Sequence, residues 1–270
     1  MTSIATAIID LRHIDRLADG NSAIHRLDPR VKVLTTFFFI VIILSFGRYE
    51  VSALIPFLIF PVASTSLSGL PPRYILTRTA FLAPFALLTG IFNPLLDREI
   101  LFYLGPTGIS GGWISLTAIF LRAVLAIGAA TVLVATTGFP RICQALEQLG
   151  APRIFVVQLL FLYRYIFVLA EEGVRGARSR ELRSFGKNGR AMQPHGALVS
   201  HLLLRAWRRA ERIHMAMLTR GFTGEFHTLR EFRFGGRELF FITGWATTFI
   251  ILRIWNLPQL MGAVVTGMAS

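Results

Sequence analysis

Apolar residues along this chain come in blocks of membrane-crossing length, separated by short polar segments. A helix needs roughly 20 apolar residues to cross the hydrocarbon core of a bilayer. Six blocks approach that length, at about 31–47, 51–68, 79–96, 113–136, 153–170 and 238–255. The first contains an unbroken run from Val33 to Leu44 without a charge. The second and third carry Pro56, Pro61 and Pro84, which spanning helices tolerate when neighbours cover the freed carbonyls. The fourth sets Ala126, Ala129 and Ala130 beside Gly128, and such small residues predict close helix packing. Arg122 lies inside the same block, where snorkelling or an internal hydrogen bond is the expected reading and a transport role the rival one.

The stretch from 153 to 237 has a different pattern. Residues 153–184 read as one long helix, apolar in its first half and charged in its second. From Val199 onward, face residues fall at 199, 202, 203, 206, 207, 210, 213, 214 and 217. That spacing marks one stripe of a helix. Arg205, Arg208, Arg209 and Arg212 lie off the stripe, and Arg220 followed by Gly221 supplies a basic last turn and a glycine stop.

Charge then sets orientation. The segment before the first block holds Arg12, Arg16, Arg26, Arg30 and Lys32, while the next loop holds Arg48 against Glu50. Arg73 and Arg78 follow the second block; 97–112 has Arg98 between two acids; Arg141 and Arg153 follow the fourth block. Basic and neutral loops alternate, which places the N-terminus in the cytoplasm. Residues 171–237 carry fourteen of the 28 Lys and Arg residues. Exporting them would violate the same rule, and Arg164 sits near the middle of 153–170. That block is therefore expected to pack on the cytoplasmic side without crossing. The last block then crosses outward to the uncharged tail 256–270.

The resulting expectation is an all-α polytopic membrane bundle of about five spans. Residues 1–136 form the N-terminal segment and the first four spans, 137–237 a cytoplasmic helical module, and 238–270 the last span and tail. Composition agrees: 53% of residues are hydrophobic and only 16% charged, with a mean hydropathy of +0.58. In a soluble domain about 25% would be charged. The net charge of +13 belongs to basic cytoplasmic loops and not to a nucleic-acid surface. Asp10, Arg12, Asp15, Arg16 and Asp19 leave no apolar run for a signal peptide, so the first span is expected to serve as its own insertion signal.

Catalytic chemistry is not evident. Gly186-Lys187-Asn188 lacks the spacing and hydroxyl of a P-loop. The histidines at 13, 25, 195, 201, 214 and 227 form no H-E-x-x-H motif, and lone Cys143 reads as a buried small residue. No catalytic, metal or cofactor-binding residue is assigned, which points to a scaffold or transmission role.

Two segments carry a family likeness: His25-Arg26-Leu27-Asp28-Pro29-Arg30-Val31-Lys32, and Ala216-Met217-Leu218-Thr219-Arg220-Gly221-Phe222-Thr223-Gly224. Ala145-Leu146, Leu149-Gly150-Ala151-Pro152, Tyr163-Arg164-Tyr165-Ile166 and Glu171-Glu172 add to it. Together they resemble the transmembrane (T) component of energy-coupling factor (ECF) transporters, closest to the CbiQ/NikQ branch for cobalt and nickel. The resemblance implies an L-shaped protein with two long coupling helices, each ending in an Arg-centred motif that docks in a groove of one ATPase subunit. By match, the second motif is Thr219-Arg220-Gly221 and the first Leu182-Arg183-Ser184, with Arg178 in Ala177-Arg178-Ser179 as the rival to Arg183. Glu211, Arg178 and Arg212 are expected to support the coupling helices.

The resemblance further implies a non-enzymatic subunit in the inner (cytoplasmic) membrane. Its partners would be a pair of ECF/ABC-type ATPases, which bind ATP and Mg, and a CbiM/NikM-like substrate-binding membrane subunit. The alternatives are a self-contained carrier or channel, or an ECF T component for a vitamin. Lys187→Cys tests the topology: a membrane-impermeant thiol reagent added outside intact cells leaves it unlabelled, and efficient external labelling would overturn the orientation.

Overall fold

A computed structural model describes residues 15–96, 100–104, 107–183, 193–222 and 235–255. Its helices are α1 (Ala23–Arg26), α2 (Pro29–Leu44), α3 (Val51–Leu54), α4 (Ile59–Ser68), α5 (Pro72–Gly90) and α6 (Asn93–Leu96). After a short hairpin come α7 (Gly111–Thr137), α8 (Phe139–Gln148), α9 (Arg153–Arg183), α10 (Gln193–Leu218) and α11 (Gly236–Ile254). The chain divides into two compact units: Leu17–Gly138 with Phe232–Ser270, here the membrane unit, and Phe139–Glu231 with Met1–Arg16.

The architecture is helical, as the apolar blocks predict. Val51–Ser68, Gly111–Thr137 and Arg153–Ser179 are each long and apolar enough to cross a membrane. A 3₁₀ turn, Ile55–Leu58, with Pro56 in its first positions, joins α3 to α4. The third block starts earlier than its apolar residues suggest, because Pro72 at the first helical position opens α5 about two turns before Thr79. The neutral loop 97–112 holds an antiparallel hairpin, β1 (Ile100–Leu104) with β2 (Thr107–Ser110).

The membrane unit packs around aromatic rings. Phe39 of α2 lies 4.7 Å from Phe60 and 5.2 Å from Phe249, between ring centroids. Trp245 meets Phe60 edge-on at 4.9 Å, a preferred aromatic geometry. Leu125 and Ala129 of α7 close this core. Large apolar side chains also point outward: Phe81, Phe85 and Phe240 are each at least three-quarters exposed. A surface this apolar suits lipid and not water.

Cations secure both ends of α2. Asp28 caps its start, with Oδ1 accepting from the Arg30 N–H at 2.8 Å, and Pro29 follows at the first position. One turn on, the buried Lys32 ammonium donates to the Thr136 carbonyl at 3.1 Å. That carbonyl belongs to the last turn of α7, the negative end of its dipole. Beyond the other end of α2, Arg122 of α7 donates to the Gly47 carbonyl. Arg253 of α11 donates to the Ser45 carbonyl at 3.1 Å, pairs with Glu50 at 3.7 Å, and covers the Phe46 ring at 4.2 Å. Arg122 is thus held by an internal hydrogen bond.

Cys143 of α8 is buried, and burial pushes its thiol above the ordinary range. That keeps the native thiol unreactive.

Close approach is most severe at Gly112, near the start of α7. A Cβ there would lie 2.4 Å from Pro94 Cα and 2.6 Å from the Asn93 carbonyl oxygen, whereas one at Gly128 would meet only Pro61 Cβ at 3.8 Å. Gly112→Ala is therefore expected to destabilise the detergent-solubilised protein by about 1–3 kcal/mol through overpacking. Gly128→Ala should leave the melting temperature near wild type. Equal melting temperatures for the two variants would show that the α6–α7 contact can relax.

Candidate functional site

The sequence motifs point to the ends of α9 and α10, which lie in the same unit. Leu169 and Tyr165 of α9, with Ala206, Ile213 and Met217 of α10, wall a groove of about 390 Å³. An ion pair also joins the two helices. The Glu172 carboxylate accepts from Arg205 Nη1 at 3.1 Å and attracts Arg209 Nη1 at 3.9 Å. Beside it, a Cβ on Gly173 would touch Leu202 Cδ1 at 3.6 Å, so the small residue leaves room for the leucine. The Glu172 side chain is one-fifth exposed, against roughly half or more for its two partners. The arginines thus cover an otherwise poorly hydrated carboxylate.

The direction of the pair follows from these contacts. Gly173 faces Leu202, near the start of α10. Gln158 and Phe161, before Glu172 on α9, line the groove with Met217 and Phe222, at the far end of α10. The helices therefore run antiparallel, and their C-terminal ends lie at opposite ends of the pair.

Local chemistry fixes one of these ends. The Gly221 N–H donates to the Leu218 carbonyl and the Phe222 N–H to the Met217 carbonyl, both at 3.0 Å. Gly221 has φ +78°, a left-handed conformation that a side chain would strain. This paired bonding is a Schellman stop, completed by the apolar neighbours Phe222 and Met217. Thr219 Oγ1 donates to the Ala216 carbonyl at 3.0 Å. Arg220, the last residue before the glycine, is exposed on a rigid end.

At the other end, Arg183 is the last residue of α9 and Leu182 is three-quarters exposed. Ser184 lies outside the described residues. Arg178 is exposed one turn before Leu182, on the same face. Of the expected supporting residues, Arg212 is exposed, and Glu211 accepts from Trp207 Nε1 at 2.7 Å on its own helix. The bracing across the pair falls to Glu172 with Arg205 and Arg209. Sequence reading noted Glu171-Glu172 without a role, since the partners are more than thirty positions away.

The apolar stripe of α10 divides. Leu202, Ala206, Ile213 and Met217 are half-buried, while Val199, Leu203 and Trp207 are more than three-fifths exposed. Among the described residues, no group of three or more His, Cys, Asp or Glu side chains is placed to hold a metal.

Comparison with known proteins bears on the whole arrangement. The model of a family described as CbiQ, cobalt transport protein, matches residues 20–229. The chain is similar to the energy-coupling factor transporter transmembrane protein EcfT of Leuconostoc gelidum, 31% identical over 77% of this chain and 83% of the relative. It is similar also to the EcfT proteins of Bacillus subtilis, 28% identical over 80% and 87%, and Thermosediminibacter oceani, 28% over 78% and 84%.

Charge reversal compares Glu172 with Glu211. Glu172→Lys faces two arginines with a third cation and should cost about 1 kcal/mol, seen as a lower melting temperature. Glu211→Lys should stay within about 0.5 kcal/mol of wild type. The opposite ranking would remove Glu172 from the contact between the helices.

Proposed function

The chain belongs to the CbiQ family of cobalt transport proteins, and from that premise we propose that it is the coupling subunit of an ATP-driven importer for cobalt or nickel ions. The observation that carries the reading is the antiparallel pair tied by Glu172, whose two basic helix ends lie at opposite ends of the pair. One end suits one ATPase subunit and the other end its mate. In this reading Arg220 fills a groove of the first subunit. Arg183, or Arg178 one turn back, fills a groove of the second, flanked by Leu182 and Ser184.

Arginine suits the task. Its guanidinium stays charged at physiological pH and pairs bidentately with a carboxylate. At a helix C-terminus it also sits beside the negative end of its own dipole. ATP and Mg are bound by the ATPase pair, whose closure displaces the two docked ends. The brace at Glu172 makes the helices move together, so displacement is not lost in bending. The exposed apolar side chains Leu203 and Trp207 then press on a CbiM/NikM-like substrate-binding membrane subunit. That subunit selects the ion, and this chain carries out no chemistry. The topology keeps the N-terminus and the coupling helices in the cytoplasm, with α9 on that side of the inner membrane. Its length would let it span, but the arginine-rich segment after it would then be outside.

A second reading, a T component for a vitamin, draws on relatives whose names specify an energy-coupling factor transporter without a metal. Liposome uptake of radioactive Co²⁺ or Ni²⁺, with each component omitted in turn, distinguishes the readings. The full set should accumulate ion only with ATP, and this chain alone should accumulate none. Arg220→Glu should abolish uptake and weaken ATPase association by about 2–5 kcal/mol, the usual loss for a desolvated charge pair. Arg183→Glu and Arg178→Glu, compared side by side, identify the first docking residue by the larger loss. ATP-independent accumulation by this chain alone would make it a carrier. Wild-type uptake by Arg220→Glu would refute the docking assignment.

A further inference from the structure

A cleft of about 830 Å³ belongs to the membrane unit and plays no part in the coupling helices. Ile24 of α1, Leu67 in the last turn of α4, and Phe241 and Trp245 of α11 give it an apolar wall. Arg26 and Arg237 line it as well. Both are exposed, and neither makes an ion pair among the described residues. The one carboxylate in the lining, Glu238, is engaged: its Oε2 accepts from the Gly235 N–H at 3.1 Å and caps α11. The cleft therefore presents two uncommitted guanidinium groups beside an aromatic and aliphatic wall.

Its place in the bundle narrows the occupant. The end of α4 and the starts of α2 and α11 lie at one end of the membrane unit, where Arg30, Lys32 and Arg73 also fall. A small anion would use the arginines and waste the apolar wall. A neutral lipid would use the wall and leave two cations without a counter-charge. An amphiphile with an anionic phosphate head and hydrocarbon chains satisfies both, and the cytoplasmic leaflet supplies it next to the protein. The volume lies within the ordinary range of ligand clefts and admits a glycerol backbone with the upper part of a chain.

We propose that this cleft binds one anionic phospholipid, its phosphate between Arg26 and Arg237 and its chain along Phe241 and Trp245. The proposal rests on the topology given above, which labelling at position 187 tests separately. Bound lipid would fill the seam between α1, α4 and α11 and stabilise the end of the bundle where α2 begins.

The full chain in nanodiscs tests this through Trp245. Brominated-chain phosphatidylglycerol should quench tryptophan fluorescence more strongly than brominated-chain phosphatidylcholine at equal mole fraction. Trp245→Phe should erase that difference. Native mass spectrometry should show phosphatidylglycerol retained by wild type. The Arg26→Ala/Arg237→Ala variant should retain it roughly thirtyfold more weakly, the weight of two cations at a membrane surface. The paired lysine variant should keep most of the affinity, and excess inorganic phosphate should not displace the lipid. Equal quenching by the two lipids overturns the proposal without depending on the fold of any variant. So does undiminished retention by the double alanine variant, or displacement by phosphate alone, which would make the site an anion site.

Discussion

One carboxylate holds the arrangement on which the coupling reading depends. Glu172 takes Arg205 at 3.1 Å and Arg209 at 3.9 Å, and so ties two long helices together. Long helices bend readily, and a pair joined only by an apolar groove can slide. A charge pair with a directional hydrogen bond favours one register as well as the contact. Gly173 permits it, because the neighbouring Leu202 comes within van der Waals range of where a Cβ would stand. Such a pair adds little to total stability on its own. Its value here is geometric: it ties α9 to α10 across the groove.

The membrane unit solves a related problem with the opposite charge. The end of α2 and the last turn of α7 leave carbonyl groups without helical partners. Lys32 answers at Thr136 and Arg253 at Ser45, while Arg122 joins the Glu50 N–H on the Gly47 carbonyl. In the low dielectric of a bilayer, an unpaired carbonyl and an unpaired cation are both costly. The Lys32 and Arg253 contacts each remove one of each. This gives a physical reason for the run Asp28-Pro29-Arg30-Val31-Lys32. The aspartate caps α2, the proline opens it, and the lysine one turn later reaches another helix.

Much of this was legible in the sequence, because bilayer length and helical period are local properties. The long helix from Arg153 and the helix that ends before Arg220 both follow from spacing and a glycine stop. The start of α5 was less legible, since Arg73 and Arg78 dilute the apolar signal that Pro72 precedes. The hairpin at 100–110 was missed although Gly105-Pro106 stands between two apolar runs, a recognised turn signal. A periodic stripe also cannot say which of its residues meet which neighbour. Only the fold separates half-buried Leu202 and Ile213 from exposed Leu203 and Trp207. Pairings across long sequence distance, such as Glu172 with Arg205, leave no local trace. Glu211 was the visible acid on α10, yet it bonds Trp207 on its own helix.

The central claim is that the two ends of the braced pair engage two ATPase subunits at once. Photo-crosslinking residues at Leu182 and Leu218, both exposed and beside Arg183 and Arg220, the proposed docking residues, test it in the assembled transporter. Each single substitution should trap one ATPase subunit. The doubly substituted chain should yield a product whose mass equals this chain plus two ATPase subunits. If the doubly substituted chain never traps more than one subunit, the ends do not serve separate partners and the account is contradicted.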